Sequence, residues 1–141
     1  MTNKTLITTI IGTAGGVFTY LFGGWSMDIA TLLIFMGIDY FTGLLCAAVF
    51  KKSTKTESGA LSSNASLKGL CKKLVMFLFV AIANRLDFYL GVEFMRGAVI
   101  VGFIVNELIS IVENAALMGI TSPIINNAIE LLKKKGEDDN E

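Results

Sequence analysis

Residues 29–50 read IATLLIFMGIDYFTGLLCAAVF, an apolar run with one carboxylate near its centre, Asp39. An α-helix needs about 20 predominantly apolar residues to cross the hydrocarbon core, so this run predicts a transmembrane helix. A charged side chain at the bilayer centre costs about 2.5 to 3.5 kcal/mol on insertion scales. We therefore expect Asp39 to have a partner, contact with water or a task inside the membrane.

Three further apolar segments flank this run, at residues 6–22, 74–90 and 97–120. The chain has 141 residues, of which 53% are hydrophobic and 17% charged, and its mean hydropathy is +0.65. Such a composition is too apolar for an ordinary soluble domain of this size. It predicts an all-α membrane protein with about four transmembrane helices, which together make up a membrane domain over residues 1–120.

The first segment is the weakest of the four candidates, because it is rich in glycine and threonine. A signal peptide is an alternative, with Lys4 as its charged start, but residues 23–26 (GGWS) lack an Ala-x-Ala cleavage pattern. If the segment spans, Thr8, Gly12 and Gly16 repeat every four residues and form a stripe that lets another helix approach closely. The alternative is a helix that is merely rich in glycine.

The charges are unevenly distributed along the chain. Twelve basic and twelve acidic residues give a formal net charge of zero, so bulk charge does not favour nucleic acid as a partner. The predicted loop at 51–73 holds six lysines and a single acid, which places this loop and both termini in the cytoplasm by the positive-inside rule. If the first segment does not span, the N-terminus lies outside. The lysines can also contact anionic headgroups of the inner leaflet; they are Lys51, Lys52, Lys55, Lys68, Lys72 and Lys73.

A separate amphipathic segment follows the fourth apolar segment. Pro123 starts it, and its apolar residues fall on one helical face between residues 121 and 135. This pattern predicts an interfacial helix that either lies on the inner leaflet or packs on a neighbouring subunit. Residues 136–141 are acidic, and we expect a disordered tail there.

The residue inventory argues against catalysis. The chain has no histidine, which removes the commonest general base and metal ligand. Its two cysteines, Cys46 and Cys71, are expected to be reduced, and no nucleophile, metal-ligand set or phosphate-binding glycine loop accompanies the carboxylates. We predict no enzymatic activity, no metal and no cofactor.

Polar residues form stripes on three of the predicted helices. Asp39, Thr42 and Gly43 share one face of the second helix because they are spaced three and four residues apart. The third helix carries charged residues near its end, and the fourth carries a polar face along most of its length. The candidates for intramembrane contacts and oligomerisation are Asp39, Thr42, Gly43, Arg85, Asp87, Asn106, Glu107, Ser110, Glu113 and Asn114.

Depth in the membrane suggests which of these charges could pair. Asp39 and Arg85 each lie eleven residues from the cytoplasmic end of their segment, or roughly 16 to 17 Å along a helix, so they could pair. Glu107 is also near mid-depth. One arginine cannot neutralise four acids, so the others are protonated, pair between subunits or face water in an assembled pore. A static network that packs helices within one chain is the alternative.

Several short blocks of this sequence match a known family. Residues 39–43 read DYFTG, residues 66–70 read SLKGL and precede Lys72 and Lys73, and residues 106–111 read NELISI. Asp87, Glu113, Asn114, Gly119 and Pro123 complete the pattern. From about residue 32 to residue 132, the chain resembles the bacteriophage holins of the toxin-secretion and phage-lysis type, which include clostridial toxin-release holins.

This resemblance implies a function. Such holins are small proteins of the bacterial cytoplasmic membrane that accumulate harmlessly and then, at a set time, oligomerise into lesions through which an endolysin reaches the cell wall. It implies a homo-oligomer in the lipid bilayer, with the endolysin as passing cargo and not as a stable partner. Two alternatives stay open: a holin that exports a toxin or bacteriocin, and a small channel or subunit of a membrane complex.

Overall fold

A computed structural model describes residues 2–138 of the chain, and this part of it is helical without any strand. The predicted all-α architecture is confirmed. Five helices follow one another along the sequence: α1 (Asn3–Phe22), α2 (Met27–Ala48), α3 (Ser63–Leu90), α4 (Met95–Leu117) and α5 (Pro123–Asp138).

The ends of the helices follow local capping chemistry. The hydroxyl of Thr2 accepts a hydrogen bond from the amide of Thr5 and starts α1, and Ser62 caps α3 in the same way through the amide of Ala65. Gly23 and Gly91 end α1 and α3 in the left-handed conformation, with φ of 78° and 67°. A side chain with a Cβ disfavours this conformation, so the two glycines make both connections short.

Two boundaries differ from the sequence prediction. Helix α3 begins at Ser63, eleven residues before the apolar segment, so half of the expected loop 51–73 is helix and Lys68, Lys72 and Lys73 lie on it. The cap at Ser62 explains this early start. Helix α5 runs to Asp138 and includes residues 136–138 of the expected tail, while residues 139–141 lie outside the described part.

Three helices, α1, α2 and α4, are long and apolar enough to cross a membrane. Helix α3 is not among them, because its apolar part carries Arg85 and Asp87 and follows a lysine-rich start. Large apolar side chains on these helices point outward: Ile10 is 58% exposed and Ile34 is 59% exposed. Such faces suit a lipid environment.

The core lies where α2, α3 and α4 meet. Helix α2 packs most extensively against α4, and α3 packs against α4. Ile29 and Leu32 of α2, Val80 of α3 and Ile100 of α4 are completely buried. Helix α1 joins this core through its last turns, where Phe22 stacks on Phe77 with ring centroids 4.4 Å apart.

The connections define two ends of the helical bundle. At one end, which we call the Arg96 end, the α1–α2 and α3–α4 connections lie together around Arg96. At the other, which we call the Lys73 end, the segment 51–62 lies beside the C-terminal half of α2 and the N-terminal half of α3. Helices α2, α3 and α4 therefore run alternately up and down between the two ends.

Candidate functional site

Three charged side chains from three helices meet inside the bundle. Nζ of Lys73 on α3 lies 2.6 Å from Oδ2 of Asp39 on α2, and it also forms an ion pair with Oε2 of Glu107 on α4. The side chain of Lys73 is 13% exposed, and those of Asp39 and Glu107 are 6% and 3% exposed. We call this group the charge cluster.

Helical periodicity brings the three residues to the same place. On α2, Asp39 lies three residues after buried Met36, and on α4, Glu107 lies seven residues after buried Ile100. On α3, Lys73 lies three residues before buried Met76. All three residues thus project from the core-facing side of their helix.

A hydrogen-bonding shell holds the carboxylate of Asp39 in position. The amide nitrogen of Asn114 lies 3.2 Å from Oδ1 of Asp39 and 3.1 Å from the hydroxyl of Thr42, and it donates to both. The Thr42 hydroxyl in turn donates to the carbonyl of Asp39 at 3.0 Å. Within the described part of the chain, every buried side-chain nitrogen or oxygen has a partner.

The charge balance of the cluster determines how it affects the stability of the bundle. One ammonium faces two carboxylates, so the cluster carries one excess negative charge when all three groups are ionised. Removing one partner from a buried ion pair costs about 3 to 5 kcal/mol, whereas replacing the whole set by apolar groups is often neutral. The cluster therefore contributes little net stability while all its members are present, but it strongly penalises the separation of α3 from α2 and α4.

The charge cluster borders a cavity of about 360 Å³. This cavity lies between α2, α3 and α4, and the segment 51–62 covers it at the Lys73 end. Four lysines and two carboxylates are the charged groups on its wall. They are Lys55, Lys68, Lys72, Lys73, Asp39 and Glu107.

A second polar network ties the helices together at the Arg96 end. Nε of Arg96 donates to the carbonyl of Phe22 at 2.6 Å, and its two terminal nitrogens reach Asp28 at 3.1 Å and Ser26 at 2.7 Å. The carboxylate of Asp87 accepts from the amides of Met95 and Arg96, both at 2.9 Å, and so caps α4. Arg96 was not among the candidates from sequence, because an arginine in a short connection gives no periodic signal.

The possible pair of Asp39 with Arg85 does not form within the chain. Arg85 is exposed, and its guanidinium lies 4.3 Å from the ring centroid of Tyr20 and 5.5 Å from that of Phe88. It follows Lys73 by twelve residues, which turns it by about 120° around the axis of α3 and away from Asp39. Lys73, expected at the membrane surface, takes the place next to Asp39 instead.

The remaining candidates lie at three kinds of position. Gly43 and Ser110 are half-buried and Asn106 is exposed, and all three line the cavity. Glu113 is exposed and pairs with Lys133 of α5 at 3.3 Å. The other candidates are exposed and do not line the cavity: Thr8, Gly12, Gly16, Lys51 and Lys52.

Among the side chains that the structure describes, histidine, cysteine and acidic residues form no group of three that could hold a metal ion. Cys46 is buried and Cys71 is exposed, and neither is in a disulfide. The arrangement offers ion pairs, hydrogen bonds and a polar cavity.

The chain is similar in sequence to proteins of bacteria and of a bacteriophage. An uncharacterized protein of Listeria innocua is 38% identical over 129 residues, which cover 90% of this chain and 86% of that protein. An uncharacterized protein of Halalkalibacterium halodurans is 40% identical and covers 82% of this chain and 84% of its own length. A protein of Bacillus phage phi105 named "Probable holin" is 32% identical, over 75% of this chain and 73% of that protein.

No solved structure matches the chain significantly. The family model described as "Bacteriophage holin family" matches residues 16–134, a range that contains the charge cluster, the cavity and the Arg96 end. The resemblance seen in the sequence blocks is thereby confirmed, and the chain belongs to the bacteriophage holin family of membrane proteins.

Proposed function

We propose that this protein is a holin that oligomerises in the bacterial cytoplasmic membrane and opens lesions through which an endolysin is released. Membership of the holin family supports this function, and the charge cluster is the observation that carries the mechanism. The endolysin passes through the lesion and is not a stable partner. We infer no catalytic activity, because the holin family to which the chain belongs is a family of non-enzymatic membrane proteins.

The charge cluster would hold the protein in a dormant state. In one subunit, Lys73 satisfies Asp39 and Glu107, so their charges do not face lipid. In an oligomer, the same carboxylates would pair with lysines of neighbouring subunits or face water in the lesion. Because an exchange of partners leaves the number of ion pairs unchanged, the two states can differ by only a few kcal/mol, as a switch requires.

Both termini are proposed to lie in the cytoplasm. The lysine-rich stretch between α2 and α3 favours this orientation, and the alternating direction of the helices would return the chain to the same side if α3 also crosses. Helix α5 would then rest on the inner leaflet. Its exposed apolar residues support this position, since Ile124 is 80% exposed and Leu131 is 68% exposed.

Helix α1 is proposed to contribute contacts between subunits. Thr8, Gly12 and Gly16 share one of its faces, and a Cβ added at either glycine would have nothing within 4 Å. Thr8 donates to the carbonyl of Lys4, so its hydroxyl is satisfied in lipid. A face of small residues lets a helix from another subunit approach closely.

The experiment is inducible expression of the full chain in bacteria, with and without a cytoplasmic endolysin, while optical density and membrane potential are followed. A holin stops growth abruptly in both strains and causes lysis where the endolysin is present. Absence of endolysin-dependent lysis, with the protein in the membrane at normal level, contradicts the proposal.

Variants test the role of the charge cluster in timing. Glu107→Gln removes one carboxylate from the cluster, and Glu93→Gln is its matched control, because Glu93 is an exposed residue of the α3–α4 connection outside the cluster and the cavity. We expect Glu107→Gln and Asp39→Asn to shift or abolish the lysis time and Glu93→Gln to leave it near the wild-type value. If all three variants trigger at the wild-type time, the switch is rejected and a packing role remains.

Two alternatives use the same lesion or cavity differently. A holin-like protein for toxin or bacteriocin export would release a large protein from the cytoplasm without lysis. A small channel or a subunit of a membrane complex would pass ions only. Release of a cytoplasmic reporter enzyme on expression favours a lesion, whereas ion leakage without reporter release favours a channel.

A further inference from the structure

The cavity at the Lys73 end has more positive charge than its own carboxylates neutralise. Asp39 and Glu107 are both engaged by Lys73, which leaves the exposed residues Lys55, Lys68 and Lys72 as further positive charges of the wall. None of these three lysines forms an ion pair with a side chain that the structure describes. The wall therefore keeps an excess of two positive charges over its carboxylates.

Neutral donors and a helix end add to this positive character. The hydroxyl-bearing residues Ser66 and Ser110 line the cavity from α3 and α4. Helix α3 begins at Ser63, and its capping residue Ser62 also lines the cavity, so the positive end of the α3 dipole lies at the wall. Lysines, hydroxyls and a helix N-terminus are the groups that bind phosphate oxygens.

Apolar side chains complete the wall, which distinguishes the cavity from a site for a soluble anion. Leu44 and Ala47 of α2 and Met76 of α3 contribute hydrocarbon surface beside the lysines. Ala47 is next to the last residue of α2, so this part of the wall lies where the apolar helix ends. At about 360 Å³, the cavity falls within the range of about 300 to 1,000 Å³ for small-molecule sites.

We infer that this cavity binds the phosphate headgroup of an anionic phospholipid. Basic pockets between transmembrane helices on the cytoplasmic side bind lipid headgroups of this class. The phosphate would lie among Lys55, Lys68 and Lys72, and the glycerol and upper acyl carbons would contact Leu44 and the other apolar wall residues. The ligand sits beside the charge cluster, so its binding holds α2 and α3 together on the same side of the bundle as Lys73.

The test uses the full chain, purified in a neutral detergent that presents no anionic surface. Phosphatidylglycerol, phosphatidylcholine and glycerol 1-phosphate are titrated separately, and the thermal unfolding midpoint is followed by circular dichroism. The cavity variant is Lys55→Gln/Lys68→Gln/Lys72→Gln. The control variant Lys51→Gln/Lys52→Gln removes positive charge from the same stretch at residues that do not line the cavity.

Phosphatidylglycerol should raise the midpoint of the wild type and of the control variant, and phosphatidylcholine should not. Each of the three cavity lysines should contribute about fivefold to affinity, so the cavity variant should bind phosphatidylglycerol about a hundredfold more weakly. Equal binding by the cavity and control variants overturns the inference. If glycerol 1-phosphate raises the midpoint as much as phosphatidylglycerol does, the ligand is a soluble phosphate and the inference of a lipid is rejected.

Two further measurements separate this result from a folding defect and from the proposed lysis function. The cavity variant must show wild-type helical content without lipid, and the single variant Lys55→Gln, which changes only the covering segment, should weaken binding by about fivefold. If both Lys55→Gln and the cavity variant bind lipid as the wild type does, the lipid does not bind in this cavity. The lipid titration contains no endolysin and does not measure lysis. Absence of lipid binding would therefore leave the holin proposal intact, and absence of lysis in cells would leave the lipid site intact.

Discussion

Removal of the Lys73 ammonium should be among the most destabilising single changes in the membrane domain. The variant Lys73→Met keeps an unbranched side chain of similar length but leaves Asp39 and Glu107 as two buried carboxylates without their cation, at 6% and 3% side-chain exposure. Breaking a buried ion pair on one side costs about 3 to 5 kcal/mol. We expect the free energy of unfolding to fall by about this amount.

A triple variant isolates the electrostatic cause. In Lys73→Met/Asp39→Asn/Glu107→Gln no charge remains in the cluster, and replacement of an entire buried ion set is often neutral or stabilising. Its stability should return to within about 1 kcal/mol of the wild type. The measurement is unfolding in mixed micelles with increasing denaturing detergent, followed by circular dichroism, with Lys72→Met as the matched control one residue away.

Two outcomes would refute this reasoning. If Lys73→Met is no less stable than Lys72→Met, the ammonium of Lys73 does not hold the carboxylates. If the triple variant is as unstable as Lys73→Met, the loss comes from packing of the lysine stem and not from uncompensated charge.

Three further changes probe other parts of the fold. Arg96→Ala removes the donors that join α1, α2 and α4, so the free energy of unfolding in the same micelle assay should fall by about 2 to 4 kcal/mol, and Arg96→Lys should restore less than half of this loss. Asp87→Ala removes the cap of α4 and should cost about 1 to 2 kcal/mol, with faster hydrogen exchange at the first amides of α4; unchanged exchange would contradict the cap. Gly23→Ala places a Cβ 2.7 Å from Oδ1 of Asn84 at a φ of 78°, and should cost about 1 to 2 kcal/mol, whereas Gly12→Ala, with nothing within 4 Å, should leave monomer stability unchanged or slightly higher.

The sequence was sufficient to predict the helical class and the need of Asp39 for a partner. Length and hydropathy of the apolar runs determine the first, and the cost of a buried charge determines the second. The identity of the partner was not predictable in the same way. Lys73 lies outside the apolar segment, and only the early start of α3 at Ser63 places it on the helix, from which its long stem reaches the two carboxylates.

Depth along a helix was an incomplete guide because it ignores rotation. Arg85 was placed near the level of Asp39, but its position on α3 directs it toward Tyr20. The contacts at the Arg96 end could not be predicted from the sequence either, since Arg96 donates to the backbone carbonyl of Phe22, which is 74 residues away along the chain. Neither periodicity nor composition encodes such a contact, because any residue type provides a carbonyl.

The two ends of the bundle are held by different numbers of polar contacts. A small rotation at the Arg96 end therefore produces a larger displacement at the Lys73 end. At one end Arg96 and Asp87 bind several backbone groups, whereas at the other end the ion pairs that join α3 to α2 and α4 depend on the single ammonium of Lys73. Lys73 and Asp87 are fourteen residues apart on α3, or about 21 Å. A hinge of about 10° at the Arg96 end would move Lys73 by about 4 Å, which is enough to break its ion pairs. A small rotation of α3 about the Arg96 end is therefore sufficient to break the ion pairs of Lys73 completely.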